Sequence, residues 1–201
     1  MKKKSLLAIV AAVIVLSSCD SMPKEIKAGD VSAETLYMRA DGSGQVAYVE
    51  DFTEKYFNIE ELKGYIAAEL ISYNKRYGDK VAELSDIELK NGRITVVLTI
   101  KNAEVYADFN KVRGENNVKF PKAAEALTEF ADAVFTEADS KEGMSKKASE
   151  VLSDEYNIAV VNGFLNFQTG KKIKYYYGGT LIDEHHFRVD EGKTAVVVYS
   201  K

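Results

Sequence analysis

The sequence predicts an α+β fold, in which an antiparallel sheet carries helices on one face and a β-meander forms the C-terminal part. Three observations support this prediction: a helical period over residues 59–77, a hairpin motif at Asn91-Gly92, and a strand-rich stretch over residues 157–200. Hairpins and helices come first and the strands follow. This order differs from the regular βαβ alternation of a doubly wound fold.

The N-terminus has the three parts of a secretory signal. Three lysines, Lys2 to Lys4, precede an uncharged apolar run from Leu6 to Leu16, and two small serines follow it. A helix of eleven residues is about 16 Å long, whereas the hydrocarbon core of a bilayer is about 30 Å thick. We therefore expect a cleaved signal peptide over residues 1–18 rather than a transmembrane helix.

The only cysteine of the chain, Cys19, stands directly after this segment. The sequence Leu16-Ser17-Ser18-Cys19 resembles the lipobox of bacterial lipoproteins. That resemblance implies a diacylglycerol on the Cys19 thiol, further acylation by a fatty acid such as palmitate, and a mature chain that begins at Cys19. The alternative is a secreted protein with an unmodified thiol. Two acyl chains hold a protein at a membrane stably, so the membrane is the first expected partner.

Removing residues 1–18 takes away three of the 27 basic residues and none of the 31 acidic ones, which leaves a formal charge of −7. Such a chain lacks the concentrated positive charge that nucleic acid attracts, so no nucleic-acid partner is expected. The polar stretch from Asp20 to Ala33 shows no apolar period. The predicted organisation is a lipid anchor and flexible tether over residues 19–33, with a reach of about 20 Å, and a single α+β domain over residues 34–201.

The domain begins with two predicted strands and a helix. Residues 35–40 and 45–52 flank the turn sequence Asp-Gly-Ser-Gly, which favours a tight hairpin. In the helix that follows, Asn58 is a suitable N-cap and Gly78 a suitable C-terminal residue. The apolar residues of the helix repeat every three or four positions and define one stripe: Ile59, Leu62, Ile66, Leu70, Tyr73 and Tyr77.

The segment IELKNGRITVVLTI predicts the next hairpin, because Asn-Gly favours a two-residue type I′ turn. Pairing outward from this turn sets Leu89 opposite Ile94 and Ile87 opposite Val96 on one face. One face of the sheet is therefore apolar, and the helix over residues 59–77 is expected to cover it.

Residues 113–156 are predicted to be a helical, partly mobile segment, after a short helix that Asn102 caps. Pro121 suits the first turn of a second helix, whose predicted inward stripe is Ala124, Leu127, Ala131 and Val134. The polar residues 136–147 predict a loop, and a short helical piece is expected around Ala148, Val151 and Leu152.

The C-terminal residues 157–200 predict four or five strands separated by glycine turns. In the run Ile173 to Tyr177, strict alternation places Ile173, Tyr175 and Tyr177 on the buried face and Tyr176 on the other. Core packing is the expected role of this aromatic run, and no ligand-binding residue is assigned. Tyr176 is the one residue whose exposure would make it a candidate for ligand contact. The pattern of residues 36–52, 83–110 and 157–200 is similar to small uncharacterised lipoproteins of Gram-positive bacteria, which implies a host with a single membrane.

No motif predicts a catalytic residue, a metal site or a cofactor. Both histidines lie in Asp183-Glu184-His185-His186, but neighbouring strand residues face opposite sides and two ligands do not close a metal site. We therefore expect turn or strand residues there. The predicted function is a non-enzymatic, lipid-anchored binding module on the extracytoplasmic face of the cell membrane, with an envelope protein or cell-wall component as partner. The alternatives are a small-ligand binding lipoprotein and an envelope hydrolase.

Overall fold

A computed structural model describes residues 23–112, 118–140 and 143–201. The signal peptide and Cys19 lie outside the described residues, so the lipobox stays a prediction. The helices are α1 (Ile59–Tyr77), α2 (Ala103–Val112), α3 (Ala123–Glu129) and α4 (Ala148–Val151), with a 3₁₀ turn over Ala28–Asp30. The strands are β1 (Thr35–Met38), β2 (Gly44–Asp51), β3 (Ala82–Lys90), β4 (Arg93–Ile100), β5 (Val118–Lys119), β6 (Val134–Glu137), β7 (Ser145–Lys147), β8 (Tyr156–Asn162), β9 (Leu165–Thr169), β10 (Ile173–Tyr177), β11 (Thr180–Leu181), β12 (His186–Val189) and β13 (Thr194–Ser200).

The strands form two sheets, which confirms the α+β class. The first sheet has the order β11-β12-β9-β1-β2-β4-β3, and the second has the order β5-β8-β13-β10-β6-β7. Every described strand pair is antiparallel except β1 with β9. The C-terminal strands are present as expected, and the chain crosses between the two sheets as it forms them.

One buried cluster lies between the sheets. The first sheet contributes Leu36, Val46 and Leu98, and the second contributes Val161 and Val197. Helices α1 and α2 extend this cluster over the part of the first sheet formed by β3 and β4. On the outer face of the second sheet, α3 and α4 cover another apolar cluster that includes Phe135. No helix of the described residues is long and apolar enough to cross a membrane.

The two hairpins and α1 form where the sequence predicts them. Leu89 pairs with Ile94 and Ile87 pairs with Val96, as expected for a turn at Asn91-Gly92. The side chain of Asn58 accepts hydrogen bonds at the start of α1, and Gly78 ends the helix with a positive φ of 66°. The structure thus confirms these local predictions. They succeed because the cap, the turn and the apolar period of each segment agree with one another.

The flexible tether predicted through Ala33 ends earlier than expected, because the chain is packed against the first sheet from Pro23 onward. The backbone N–H of Ile26 donates to Gln45 Oε1 at 2.7 Å, and that of Ala28 donates to Asp86 Oδ2 at 2.8 Å. Ile26 and Ala28 are buried against the outer face of the sheet. We call residues 23–31 the strap. The prediction was wrong for these residues because the buried side chains of Ile26 and Ala28 hold this short segment on the sheet. The two hydrogen bonds from their backbone amides to Gln45 and Asp86 add to this attachment.

The prediction of a helical segment over residues 113–156 was wrong in its middle part. Helix α3 ends at Glu129, and Val134, expected on its inward stripe, lies exposed on strand β6. Strands β6 and β7 form a hairpin where a loop was predicted. The burial of Phe135 and the pairing of β6 with β10 stabilise strand rather than helix here. The short helix α4 matches its prediction.

Candidate functional site

The first half of α1 stands away from the first sheet and leaves an open groove. Leu70 and Tyr73, in the second half of the helix, are buried against the core, whereas Leu62 and Ile66 are only half-buried. The space between them and the inner face of β2 and β4 is a cavity of about 600 Å³. Ligand pockets in proteins commonly have volumes of about 300–1,000 Å³, so this groove is large enough for a small organic molecule.

The groove has an apolar floor and roof. Alternation along β2 and β4 turns Tyr48, Ile94, Val96 and Leu98 toward α1 and turns Val97 toward the strap. The helix supplies the roof through Leu62, Ile66 and Leu70, three residues of the stripe that the sequence predicts. The stripe therefore covers the sheet as expected only in the second half of the helix, and its first half lines a cavity.

Two aromatic rings stand at the open end of the groove, where β2 leads into the loop before α1. Phe52 and Phe57 stack with ring centroids 4.7 Å apart, and both rings line the groove. Phe57 is 41% exposed and Tyr65, nearly two turns into the helix, is 64% exposed. Burying such rings against a ligand removes apolar surface from water, so these exposed rings favour contact with an apolar ligand.

The closed end of the groove is fixed by Tyr73. Its hydroxyl lies 3.1 Å from the carbonyl oxygen of Val105 and 3.0 Å from Asp108 Oδ2, both on α2, and Tyr77 donates to the same carboxylate oxygen at 2.6 Å. Burial and these hydrogen bonds raise the pKa of Tyr73, whereas the Tyr77 hydroxyl holds the pKa of Asp108 below its ordinary value. Both tyrosines are therefore neutral donors toward an ionised carboxylate near neutral pH.

Asn74 attaches the same part of α1 to the beginning of β3. Its Oδ1 accepts hydrogen bonds from the backbone N–H groups of Val81, at 2.9 Å, and Ala82, at 3.0 Å, and its Nδ2 donates to the carbonyl of Ala82 at 2.7 Å. With Tyr73 on one side and Asn74 on the other, the second half of α1 is held in place. These contacts fix the closed end of the groove.

Charged side chains lie around the rim of the groove. Glu50, Asp51 and Glu69 line it together with one cation, Arg76. The guanidinium carbon of Arg76 lies 4.9 Å from the centroid of the Tyr73 ring, which is a cation–π contact. Among the described residues that line the groove there is no histidine or cysteine.

Tyr176, the candidate for ligand contact, does not lie at an exposed site. The pairing of β10 with β13 shifts register between Ile173 and Tyr175, so the strict alternation assumed for this strand is broken. As a result Tyr176 is half-buried against the central cluster, with its ring centroid 5.7 Å from that of Phe187. Tyr175 instead packs in the outer cluster beside Tyr156. The assignment of faces was wrong because a β-bulge cannot be seen in the residue pattern.

The Asp-Glu-His-His segment is a bend that leads into β12 at His186, as expected for turn or strand residues, but His185 is buried rather than solvated. Asp183 Oδ1 accepts hydrogen bonds from the backbone N–H groups of His185, at 2.8 Å, and His186, at 2.9 Å. Burial acts to raise the pKa of Asp183, but these amides and the His186 ring outweigh it and hold the pKa below its ordinary value. His185 is buried with its Nδ1 2.8 Å from the carbonyl oxygen of Thr169. No group of three or more metal-ligating side chains occurs within residues 23–112, 118–140 and 143–201.

The sequence analysis did not identify the groove. A trace of it is present in the sequence, since Tyr65 lies outside the apolar stripe of α1 and Phe52, Tyr56 and Phe57 cluster in the loop before it. A helix that only covers a core needs one stripe, so apolar residues beyond the stripe indicate a further surface. Their arrangement around a cavity depends on how far the helix stands from the sheet, which no local pattern determines.

Comparisons of the chain with protein-family models, with curated proteins and with solved structures found no match. Residue roles can therefore be argued only from the geometry described above. That geometry is a preformed apolar groove with an aromatic entrance and a mostly acidic rim.

Proposed function

We propose that this protein is a non-enzymatic binding module, anchored by lipid at Cys19 on the extracytoplasmic face of the cell membrane, and that its groove holds a small, largely apolar ligand. The observation that carries the proposal is the 600 Å³ cavity between α1 and the first sheet. Unfilled apolar volume destabilises a protein core, so apolar space that stays open between a helix and a sheet suits a ligand.

Residues of the groove offer little for covalent chemistry. Nucleophilic catalysis needs a nucleophile next to a base. Among the described residues that line the groove, the only serine is Ser72, which lies on the exposed rim. Glu50, Asp51 and Glu69 are exposed to solvent, whereas a carboxyl that acts as a general acid is usually placed in a dry, apolar setting. These features favour binding over the alternative of an envelope hydrolase.

The position of the strap supports a body held close to the membrane. Only three residues separate Cys19 from Pro23, so an extended chain spans at most about 14 Å between them. Pro23 lies at Tyr37, whose hydroxyl donates to the Pro23 carbonyl, on the outer face of the first sheet. The groove lies on the inner face and opens at the Asp51 end of β2, six residues or about 20 Å from Gln45. The proposed anchor therefore leaves the entrance free.

Binding can be tested with a neutral apolar probe, N-phenyl-1-naphthylamine, whose fluorescence rises in apolar surroundings. The mature chain 19–201 carrying Cys19→Ala avoids lipid that would compete for the probe. At about −0.3 kcal/mol per non-hydrogen atom, its Kd is expected on the order of 0.1 mM. Ile66→Gln is expected to weaken binding about fivefold, because it removes an apolar contact of the groove.

The matched control is Ile71→Gln on the same helix, since Ile71 is 70% exposed and does not line the groove. It should leave the Kd unchanged. Equal effects of the two substitutions, or no probe binding at all, would contradict a ligand site in the groove. Thermal unfolding of both variants shows whether either change acts through stability.

The anchor is tested separately by mass spectrometry of the protein isolated from membranes. For wild type we expect an N-terminal Cys19 that carries a diacylglycerol. For Cys19→Ala we expect a product without the lipid and with altered processing. A free Cys19 thiol on the mature wild-type protein is the result that would refute the anchor.

A partner protein is the second candidate function, and exposed apolar side chains outside the groove favour it. Tyr56 is 76% exposed and Ile71 is 70% exposed, on the solvent side of the loop and of α1. Cross-linking in intact cells, with Cys19→Ala as the unanchored control, tests this candidate. A partner captured by wild type and lost with Tyr56→Ser supports it, whereas identical capture by both excludes this surface.

A further inference from the structure

The charges of the groove are distributed unevenly along its length. Its open end carries Glu50 and Asp51 at the end of β2, and Glu69 lines it from α1, about one turn before Tyr73. Its one lining cation, Arg76, lies toward the closed end and already covers the Tyr73 ring. A ligand in the groove therefore meets negative potential at the entrance.

The carboxylates that line the groove are weakly compensated. Asp51 has one long contact, 3.7 Å from its Oδ1 to Arg93 Nε. Within the described part of the chain, neither Glu50 nor Glu69 has a lysine or arginine at ion-pair distance. Residues 50–69 as a whole carry six acidic side chains and two basic ones. An incoming positive charge thus gains attraction without displacing an existing partner.

The aromatic rings at the same end add a second attraction for a cation. Phe52 and Phe57 are stacked at the entrance, and Tyr65 is exposed beside them. A positive group over an exposed ring binds about two- to fivefold better than a neutral one, because the ring face is negative. The contact between Arg76 and Tyr73 is an example of the same interaction inside this groove.

We propose that the ligand of the groove is an amphiphilic organic cation, an alkylammonium or arylalkylammonium whose apolar part lies between α1 and the sheet. Its charged group lies at the entrance, near Glu50, Asp51 and the Phe52–Phe57 pair. This inference rests on the proposed function, because it names the class of ligand for the same groove. An anionic amphiphile such as a fatty acid is disfavoured by the same charges.

Three soluble probes with one apolar part and different end groups test this inference: 4-phenylbutylamine, 4-phenylbutanol and 4-phenylbutyrate. Their Kd values are measured at pH 7 by NMR titration of the mature chain carrying Cys19→Ala, following the methyl groups of Ile66 and Val96. We expect the amine to bind about fivefold more tightly than the alcohol, and the carboxylate to bind most weakly. Raising the salt concentration should reduce the advantage of the amine.

The double variant Glu50→Gln/Asp51→Asn is expected to reduce the advantage of the amine over the alcohol to less than about twofold. Glu61→Gln is the matched control, because Glu61 lies exposed in the first turn of α1 and does not line the groove. Binding of the carboxylate as tightly as the amine, or an advantage that survives the double variant, would overturn the cation proposal and leave the apolar groove intact. Failure of all three probes to bind would overturn the proposed function as well.

Discussion

Replacing Asn74 by alanine tests how α1 is held above the first sheet. The variant loses three hydrogen bonds at once, two from the amides of Val81 and Ala82 and one to the carbonyl of Ala82. Val81 and Ala82 are buried, at 5% and 2% exposure, so their amides are poorly hydrated when the side chain is removed. At about 1 kcal/mol per hydrogen bond, Asn74→Ala should destabilise the protein by about 2–3 kcal/mol.

Chemical unfolding by urea measures this loss, and thermal unfolding should show a decrease in Tm of about 5–10 °C for a chain of this size. Asn74→Asp should fall between wild type and alanine, because it keeps the acceptor for both amides and loses the donor to Ala82. Lys75→Ala, on the exposed side of the helix, is the control and should change stability by less than about 0.5 kcal/mol. A loss of under 0.5 kcal/mol for Asn74→Ala would refute this description of the attachment.

Three further predictions concern the strap, two glycines and one carboxylate. Ile26→Ala should cost about 2–4 kcal/mol in urea unfolding, because the Ile26 side chain is only 6% exposed between the strap and the sheet. A cost near zero would indicate a flexible tether instead. Gly92→Ala should destabilise the protein by about 1–2 kcal/mol because the φ of Gly92 is +75°. Gly64→Ala, in the exposed interior of α1, should stabilise the protein by about 0.5–1 kcal/mol. Changes in Tm of the same sign for both variants would contradict the hairpin geometry. The pKa of Asp108 is lowered in the folded state, so wild type should be more stable than Asp108→Asn above about pH 4. This advantage should be lost as the pH falls through the folded pKa. A difference in stability that does not change between pH 2.5 and 6 would contradict this prediction.

Local signals in the sequence were sufficient for the elements whose stabilising contacts are local. The turn at Asn91-Gly92 specified the register of β3 and β4, and Asn58 and Gly78 specified the two ends of α1. In each case the deciding interactions lie within about four residues of each other. Such predictions succeed because the same short segment contains the cap, the turn and the apolar period.

The failures lie where distant contacts decide the structure. Residues 134–137 are compatible with a helix by spacing, yet they form a strand because β10, about 40 residues later, offers a pairing edge. The strap reads as a polar tether because its acceptors, Gln45 and Asp86, are far away in the sequence. Propensity is a weak guide when tertiary contacts of this kind compete with it.

The groove was beyond sequence reasoning for a related reason. The stripe of α1 predicts which side of the helix is apolar, and that prediction holds. Whether the stripe contacts the sheet or stands off from it depends on Tyr73 and Asn74, which bind α2 and β3 through side chains that the period does not distinguish. The cavity therefore follows from tertiary attachment at one end of the helix.

A methyl-resolved NMR titration of the mature chain carrying Cys19→Ala with 4-phenylbutylamine tests the central claim most directly. A ligand in the groove should shift the methyl signals of Ile66, Ile94 and Val96, which line it, and leave those of Ile71 and Ile182, which are exposed elsewhere, unchanged. The account predicts saturable shifts confined to the groove methyls. Shifts that are absent, non-saturable or as large at Ile71 and Ile182 would contradict a binding site between α1 and the first sheet.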